Sequence, residues 1–315
     1  MHLSRKLYRS FYALISCMAG FILLDGCTTL RNEVDPEQLG LAAPKLVVSG
    51  FLCPQDTLLA IKVTRSNTVV GDSISLLQPG ITVTNAIVTL SEGDRSVVLP
   101  YYKIHPSADS AYSIPAKLLP IIAGRTYKLK VVTANGQVAT STCTIPQPVD
   151  PLRIKFDSLP PSRNQPTRYF VLVDWQDPVG QTNAYQVAGI FRYTTSTNIR
   201  EERYNSLSFD DENRGLFSDV GRDGTEIESG RAFLTQTTTA GNQQTTFYNQ
   251  YTSASVTVNL LSIDQSYYRY QEAVIRQRRS RGNPFAEPVI IPSNIDGALG
   301  CFAGYNNATL TCKLK

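Results

Sequence analysis

The stretch GRTYKLKVVTANGQVATSTCTIP, residues 124–146, alternates polar and apolar side chains on both sides of Asn135-Gly136. A period of two sends successive side chains to opposite faces of a strand, so each run can bury only one face, as part of a packed sheet. Asn-Gly between two such runs is a hairpin turn. The same alternation recurs in KLVVSGFL from Lys45, DTLLAIKVTRS from Asp56 and AIVTLSEGDRSVVLP from Ala86, the last turning at Gly93-Asp94. Seven or so short strands in about 100 residues predict an immunoglobulin-like or prealbumin-like sandwich. It would span residues 45–149 and end at the proline-spaced IPQPVDP.

A second β region is predicted over residues 150–315. Its strand-like runs are LRIKFDSL, TRYFVLVDWQDP, AYQVAGIFRYTT, GRAFLTQTTT, QTTFYNQY and ASVTVNLLSI, with a polar stretch from Arg200 to Gly230 read as a long excursion. The period then changes. In SIDQSYYRYQEAVIRQRRSRGNP, Ser262 or Asp264 can cap a helix, and Tyr267, Tyr270, Val274 with Tyr268, Gln271, Ile275 fall at helical spacing. Gly282 and Pro284 stop it, which predicts one helix over residues 264–281. The expected fold class is all-β: two β-sandwich domains with one helix in the C-terminal region.

The N-terminus reads as an address. Arg5, Lys6 and Arg9 precede the apolar FYALISCMAGFILL, which is shorter than the roughly 20 residues a spanning helix needs. Gly26 then stands before Cys27, and Leu-Asp-Gly-Cys resembles the bacterial lipobox, with Asp25 where a small residue is usual. That resemblance implies a signal peptide over residues 1–26 and a covalent lipid on Cys27. At about 0.8 kcal/mol per buried methylene, two or three acyl chains hold a protein stably on a membrane. The polar TTLRNEVDPEQLGLAAP that follows makes residues 27–44 a lipid-anchored linker.

Of 30 Lys+Arg and 26 Asp+Glu, the leader holds Arg5, Lys6, Arg9 and Asp25, which leaves 27 against 25. Such a balance gives no electrostatic case for nucleic acid. In an oxidising compartment unlipidated cysteines tend to pair. The candidates are Cys53 with Cys143, joining the first and last strands of the first sandwich, and Cys301 with Cys312, closing the tail; four cysteines allow three connectivities.

Catalytic motifs are missing from the sequence. After the leader the sole histidine is His105, in the loop KIHPSADS, which excludes multi-histidine metal sites and leaves a serine triad without a GxSxG partner. The acidic DDENRGLFSDVGRDGTEIESG fails as an EF-hand: starting at Asp219, Asp223 and Gly224 fit, but Gly221 and Gly230 stand where ligands belong. The expectation is therefore a chain with no catalytic set, no metal and no cofactor beyond the Cys27 lipid. Arg276, Arg278, Arg279 and Arg281 form the single basic cluster, at the predicted helix end, where they complement the helix dipole or meet an acidic surface. Trp175 and the tyrosines are expected to serve as core.

PKLVVSGFL soon after the cysteine, VTRSNTV, TNAIVTLSEG, IAGRTYKLKV leading to TCTIP, and NPFAEPVIIPSNIDGALGCFAGYN near the end resemble the domain-of-unknown-function 4249 family. The resemblance implies a Bacteroidota outer-membrane lipoprotein partnered by a TonB-dependent receptor barrel. In the last of these segments Asn294 and Asp296 flank a turn, Gly297 and Gly300 permit unusual backbone, and Phe302 and Tyr305 can re-enter the core. This is a closing loop or a partner-binding one, so Asn294, Asp296, Phe302, Tyr305 and Arg276, Arg278, Arg279 are the candidate partner-binding residues. The expected function is a non-enzymatic accessory or substrate-binding subunit of an uptake system, with a surface glycan-active enzyme or an adhesion module as the alternatives.

Overall fold

The computed structural model describes residues 44–66, 81–102, 110–161, 167–234, 246–280, 283, 285–287 and 289–315. The predicted signal peptide, Cys27, the linker to Ala43, His105, Arg281, Gly282 and Pro284 lie outside the described residues.

Among the described residues, nine strands form the first half: β1 (Leu46–Leu52), β2 (Leu58–Arg65), β3 (Ile81–Thr82), β4 (Ile87–Glu92), β5 (Arg95–Leu99), β6 (Tyr101–Tyr102), β7 (Ala111–Pro115), β8 (Thr126–Val132) and β9 (Val138–Thr144). The second half adds β10 (Pro151–Leu159), β11 (Arg168–Gln176), β12 (Ala184–Thr195), β13 (Asn198–Ser206), β14 (Leu216–Ser218), β15 (Glu226–Glu228) and β16 (Ala232–Phe233). Then come a helical turn α1 (Phe247–Gln250), β17 (Tyr251–Ile263), helix α2 (Gln265–Ser280) and β18 (Leu299–Lys313). The architecture is all-β with one long helix among the described residues, as the periodicities predict.

The alternation does what it dictates. β1, β8 and β9 bury every second residue, and both predicted hairpins are present: Glu92 pairs with Arg95 around Gly93-Asp94, and Val132 with Val138 around Asn135-Gly136. The sheet β5-β4-β8-β9 supplies Val88, Leu90, Tyr127 and Leu129 to a core shared with Leu46, Val48, Leu59 and Ile61 of β1 and β2. A second core gathers Val173, Trp175, Tyr185, Phe191, Phe247, Val256 and Val258. Trp175 is fully buried, edge-on to Tyr185 at 5.5 Å and to Phe217 at 5.3 Å between ring centroids, so it is packing. On the other face of that layer Asp174 is buried too, where Arg153 and Lys155 donate to it at 2.5 Å and 2.9 Å.

One strand ties these cores together. β18 runs parallel to β1 through its first six residues, Val47 opposite Leu299 to Leu52 opposite Gly304. Its last nine run antiparallel to β17, Ile263 opposite Tyr305 to Ser255 opposite Lys313. The result is a ten-stranded sheet in the order β13-β12-β17-β18-β1-β2-β7-β6, with β14 beside β12 and β3 beside β2. The two cores divide near residue 149, except that Ile295 and Phe302 from the chain's end belong to the first.

Three local expectations change. The polar stretch from Arg200 to Gly230 contains most of β13 and all of β14 and β15. β13 (NIREERYNS) is an edge strand with solvent around most of its side chains, so it carries no apolar period to read. QTTFYNQY includes a helical turn, because Phe247 and Gln250 are buried while Tyr248 and Asn249 are exposed, a spacing of three. GRAFL contributes only the two residues of β16, paired with β11.

Gly300 holds the parallel seam. Its φ is +121°, and a Cβ there would lie 1.9 Å from the Val48 carbonyl oxygen. Gly300→Ala is therefore expected to cost about 3 kcal/mol or more, because both the φ strain and the backbone collision must be relieved. A urea midpoint unchanged from wild type would refute the β1–β18 pairing.

Candidate functional site

Two loops at one end of the second layer bring three carboxylates together. Asp177 follows β11, Asp219 follows β14 and Asp223 lies in the turn before β15, and one oxygen from each falls within 4.8 Å of the others. Asp177 and Asp219 are buried and Asp223 is exposed. Oxygen donors of this kind suit a hard cation. Here they also organise backbone. Asp177 accepts from the Tyr185 hydroxyl at 2.5 Å, Asn183 Nδ2 at 3.3 Å and the Gly224 N–H at 2.9 Å. Asp219 accepts from the Asn183 N–H at 2.6 Å, and Asp223 from the Gly180 N–H at 3.0 Å. Burial, then the Asp177 hydrogen bond and the Asp177 and Asp219 charges, push the Tyr185 phenol up, so it stays a proton donor. The acidic stretch pointed to Asp219 and Asp223. Asp177 sits some forty residues earlier, just past the end of β11, and no local pattern marks it.

Beside this cluster an open depression of about 290 Å³ is lined by Asp211, Glu212, Phe217, Val220, Arg222 and Tyr268, where β14 and its flanking turns meet α2. Asp264 starts that helix. Its carboxylate accepts from the Tyr267 N–H at 2.8 Å as an N-cap, and from the Gly304 N–H of β18 at 2.7 Å. Its own N–H donates to the Gly304 carbonyl at 3.0 Å. Tyr267 packs on Phe51 and Tyr305, which fixes the helix across β1 and β18. Burial raises the Asp264 carboxyl from its ordinary value, against the N–H bonds from Gly304, Tyr267 and Ser266 that lower it.

The expected partner-binding residues divide into two groups. Asn294 clamps Phe302, donating to its carbonyl at 2.6 Å and accepting from its N–H at 2.9 Å. The Asp296 backbone bridges to Thr140 of β9. Phe302 is wholly buried and Tyr305 is half-covered against Tyr267, so this segment closes the first core, and Phe302 is withdrawn as a contact residue. Arg276, Arg278 and Arg279 are exposed at the end of α2.

The disulfide pairs are corrected: Cys53, Cys143, Cys301 and Cys312 are free thiols. Cys301 and Cys312 lie on the same extended strand, roughly 36 Å apart at about 3.3 Å per residue, whereas a disulfide needs Cα atoms within about 7 Å. Cys143 is inside the first core, while Cys53 lies beyond the end of β1, donating to Gln55 Oε1 at 2.7 Å. Burial pushes the Cys301 thiol up to about 12 and raises Cys53 and Cys143 as well, so these three are poor nucleophiles.

The fold and its closing segment define an all-β protein in which the C-terminal strand completes an N-terminal sandwich. The chain matches the family described as Domain of unknown function (DUF4249) over residues 31–311, and it belongs to that family. Among curated proteins nothing matches the sequence.

Two outcomes follow from this geometry. Asp264→Ala should cost about 2–4 kcal/mol at neutral pH, since it removes a cap and orphans the Gly304 N–H. Because the folded carboxyl titrates above the ordinary 3.8, its protonation adds a further stabilisation that is full below that value and is lost as pH rises through the folded-state pKa, leaving the cap and the Gly304 bond in place at neutral pH. Asp264→Asn should remove that part of the decline, checked by urea midpoints across mildly acidic pH. For the thiols, non-reducing denaturation with alkylation should label all four of Cys53, Cys143, Cys301 and Cys312, and a peptide map with any pair cross-linked would contradict the structure.

Proposed function

We propose that this chain is an outer-membrane lipoprotein, anchored through Cys27, that acts as a non-enzymatic accessory or substrate-binding subunit of a TonB-dependent uptake system. The observation that carries the reading is the N-terminal sequence together with where it enters the fold. A lipobox-like cysteine and a 17-residue polar tether lead directly into β1, an interior strand of the largest sheet. A tether attached there transmits position, and any pull from a partner, to β18 on one side and β2 on the other. Edge attachment would load a single ladder.

The rival enzyme reading asks for two carboxyl groups about 5–10 Å apart facing a substrate cleft. Asp177 and Asp219 are close enough, but their bonded oxygens are directed at Tyr185, Asn183 and Gly224, which ties them to loop structure. The accessory reading is the better supported of the two.

Purification of the native membrane complex tests it. A TonB-dependent receptor barrel is expected to accompany the protein, and recovery of the protein alone from gently solubilised envelopes would count against the assignment. Metabolic labelling with a clickable fatty acid should depend on Cys27, and label retained in Cys27→Ala would remove the anchor from the proposal.

A further inference from the structure

Residues 265–292 carry five arginines against two glutamates, a surplus larger than that of the whole chain after residue 26. The surplus is concentrated where α2 leaves the protein. Only Ala273 of the helix is buried, and from Arg276 to Arg279 every residue is exposed. Arg276 reaches Glu272 at 3.5 Å and Arg279 reaches Glu212 at 3.7 Å, and these exposed pairs are too loose and solvated to neutralise the cluster.

Beyond the helix, Asn283, Phe285 and Ala286 are tied by backbone and side-chain hydrogen bonds. The Asn283 N–H donates to the Ser280 carbonyl at 3.0 Å, the Ala286 N–H to the Asn283 carbonyl at 3.1 Å, and the Phe285 N–H to Asn283 Oδ1 at 3.0 Å. This hydrogen-bonded turn presents Phe285 at 93% exposure, and Ile290 follows at 88%. A phenylalanine held in water, six residues after the last of three exposed arginines, combines an apolar wedge with anion-seeking charge.

We infer that the C-terminal end of α2 and the Phe285 turn form a docking surface for an anionic lipid bilayer, the arginines meeting lipid phosphates while Phe285 and Ile290 enter the acyl boundary. Charge complementarity selects this occupant: basic residues near a negatively charged leaflet each contribute about fivefold to binding, and aromatic side chains settle at the interface. The surface would give the protein a second contact with the membrane and so a fixed orientation, which a single anchoring point does not supply. The inference draws on the envelope reading only for the presence of a membrane within reach.

The experiment exploits the single tryptophan, Trp175, which is fully buried and supplies a constant background. The full chain carrying Phe285→Trp is reconstituted into vesicles whose acyl chains are brominated, either phosphatidylcholine alone or phosphatidylcholine with phosphatidylglycerol. Emission from position 285 should be quenched in the anionic vesicles and not in the zwitterionic ones. Replacing Arg276, Arg278 and Arg279 by Gln should shift the inserted fraction on the order of 100-fold toward the free state. Val98→Trp, at an exposed position on β5, should stay unquenched in both and so reports on mere proximity through the anchor. Flotation of Cys27→Ala reads the anchor separately, so failure of the one is distinguishable from failure of the other. Quenching at position 285 that ignores lipid charge, or no quenching while an acidic protein from the envelope protects the arginines from modification, would overturn the inference.

Discussion

β18 hydrogen-bonds to β1 through residues 299–304 and to β17 through residues 305–313, and the handover between these ladders is the point on which the molecule depends. A strand that changes neighbours leaves backbone groups in want of partners at the junction. Gly304 occupies it, and both its N–H and its carbonyl are taken by Asp264. A side chain at Gly304 would meet the Thr144 carbonyl and Ile145 at 2.8 Å, so β9 can close over the seam only because the residue is glycine. The helix cap, the sheet junction and the first core therefore share one contact.

That arrangement explains why the closing segment is so densely bonded. Asn294 grips both backbone groups of Phe302, and Ser141 of β9 donates to the Asn294 carbonyl at 2.7 Å. Phe302 thereby enters a core built almost entirely from residues between Leu46 and Ile145. The ordering of so distant a strand costs chain entropy, which the burial of Phe302 and six parallel pairings must offset. Asp177, Asp219 and Asp223 act in the same manner at the opposite layer, where carboxylates supply the acceptors that irregular loops lack.

Legibility in the sequence followed the physics of each element. Strands with one buried face, such as β1, β8 and β9, announce themselves by alternation, and Asp264 as a cap is legible because capping is local. β13 is polar because it is an edge, and the Phe247 turn is too short to establish a period. Of the candidate site, Asp219 and Asp223 could be found in one acidic run, whereas Asp177 joins them only through the pairing of β11 with β15. The Cys301–Cys312 pair failed because spacing in sequence says nothing about whether two residues share a single extended strand.

By itself the sequence determined that the chain is all-β, where its hairpins turn, and that one helix begins at Ser262 or Asp264 and follows the long run of strands. These follow from side-chain period, turn chemistry and composition, which act over a few neighbouring residues. Only the tertiary structure decided that the last strand completes the first sheet, that Phe302 is core and the α2 arginines are surface, and that Cys301 and Cys312 stand far apart on one strand. Those are properties of strand order, and strand order is set by long-range packing between residues that no local pattern connects.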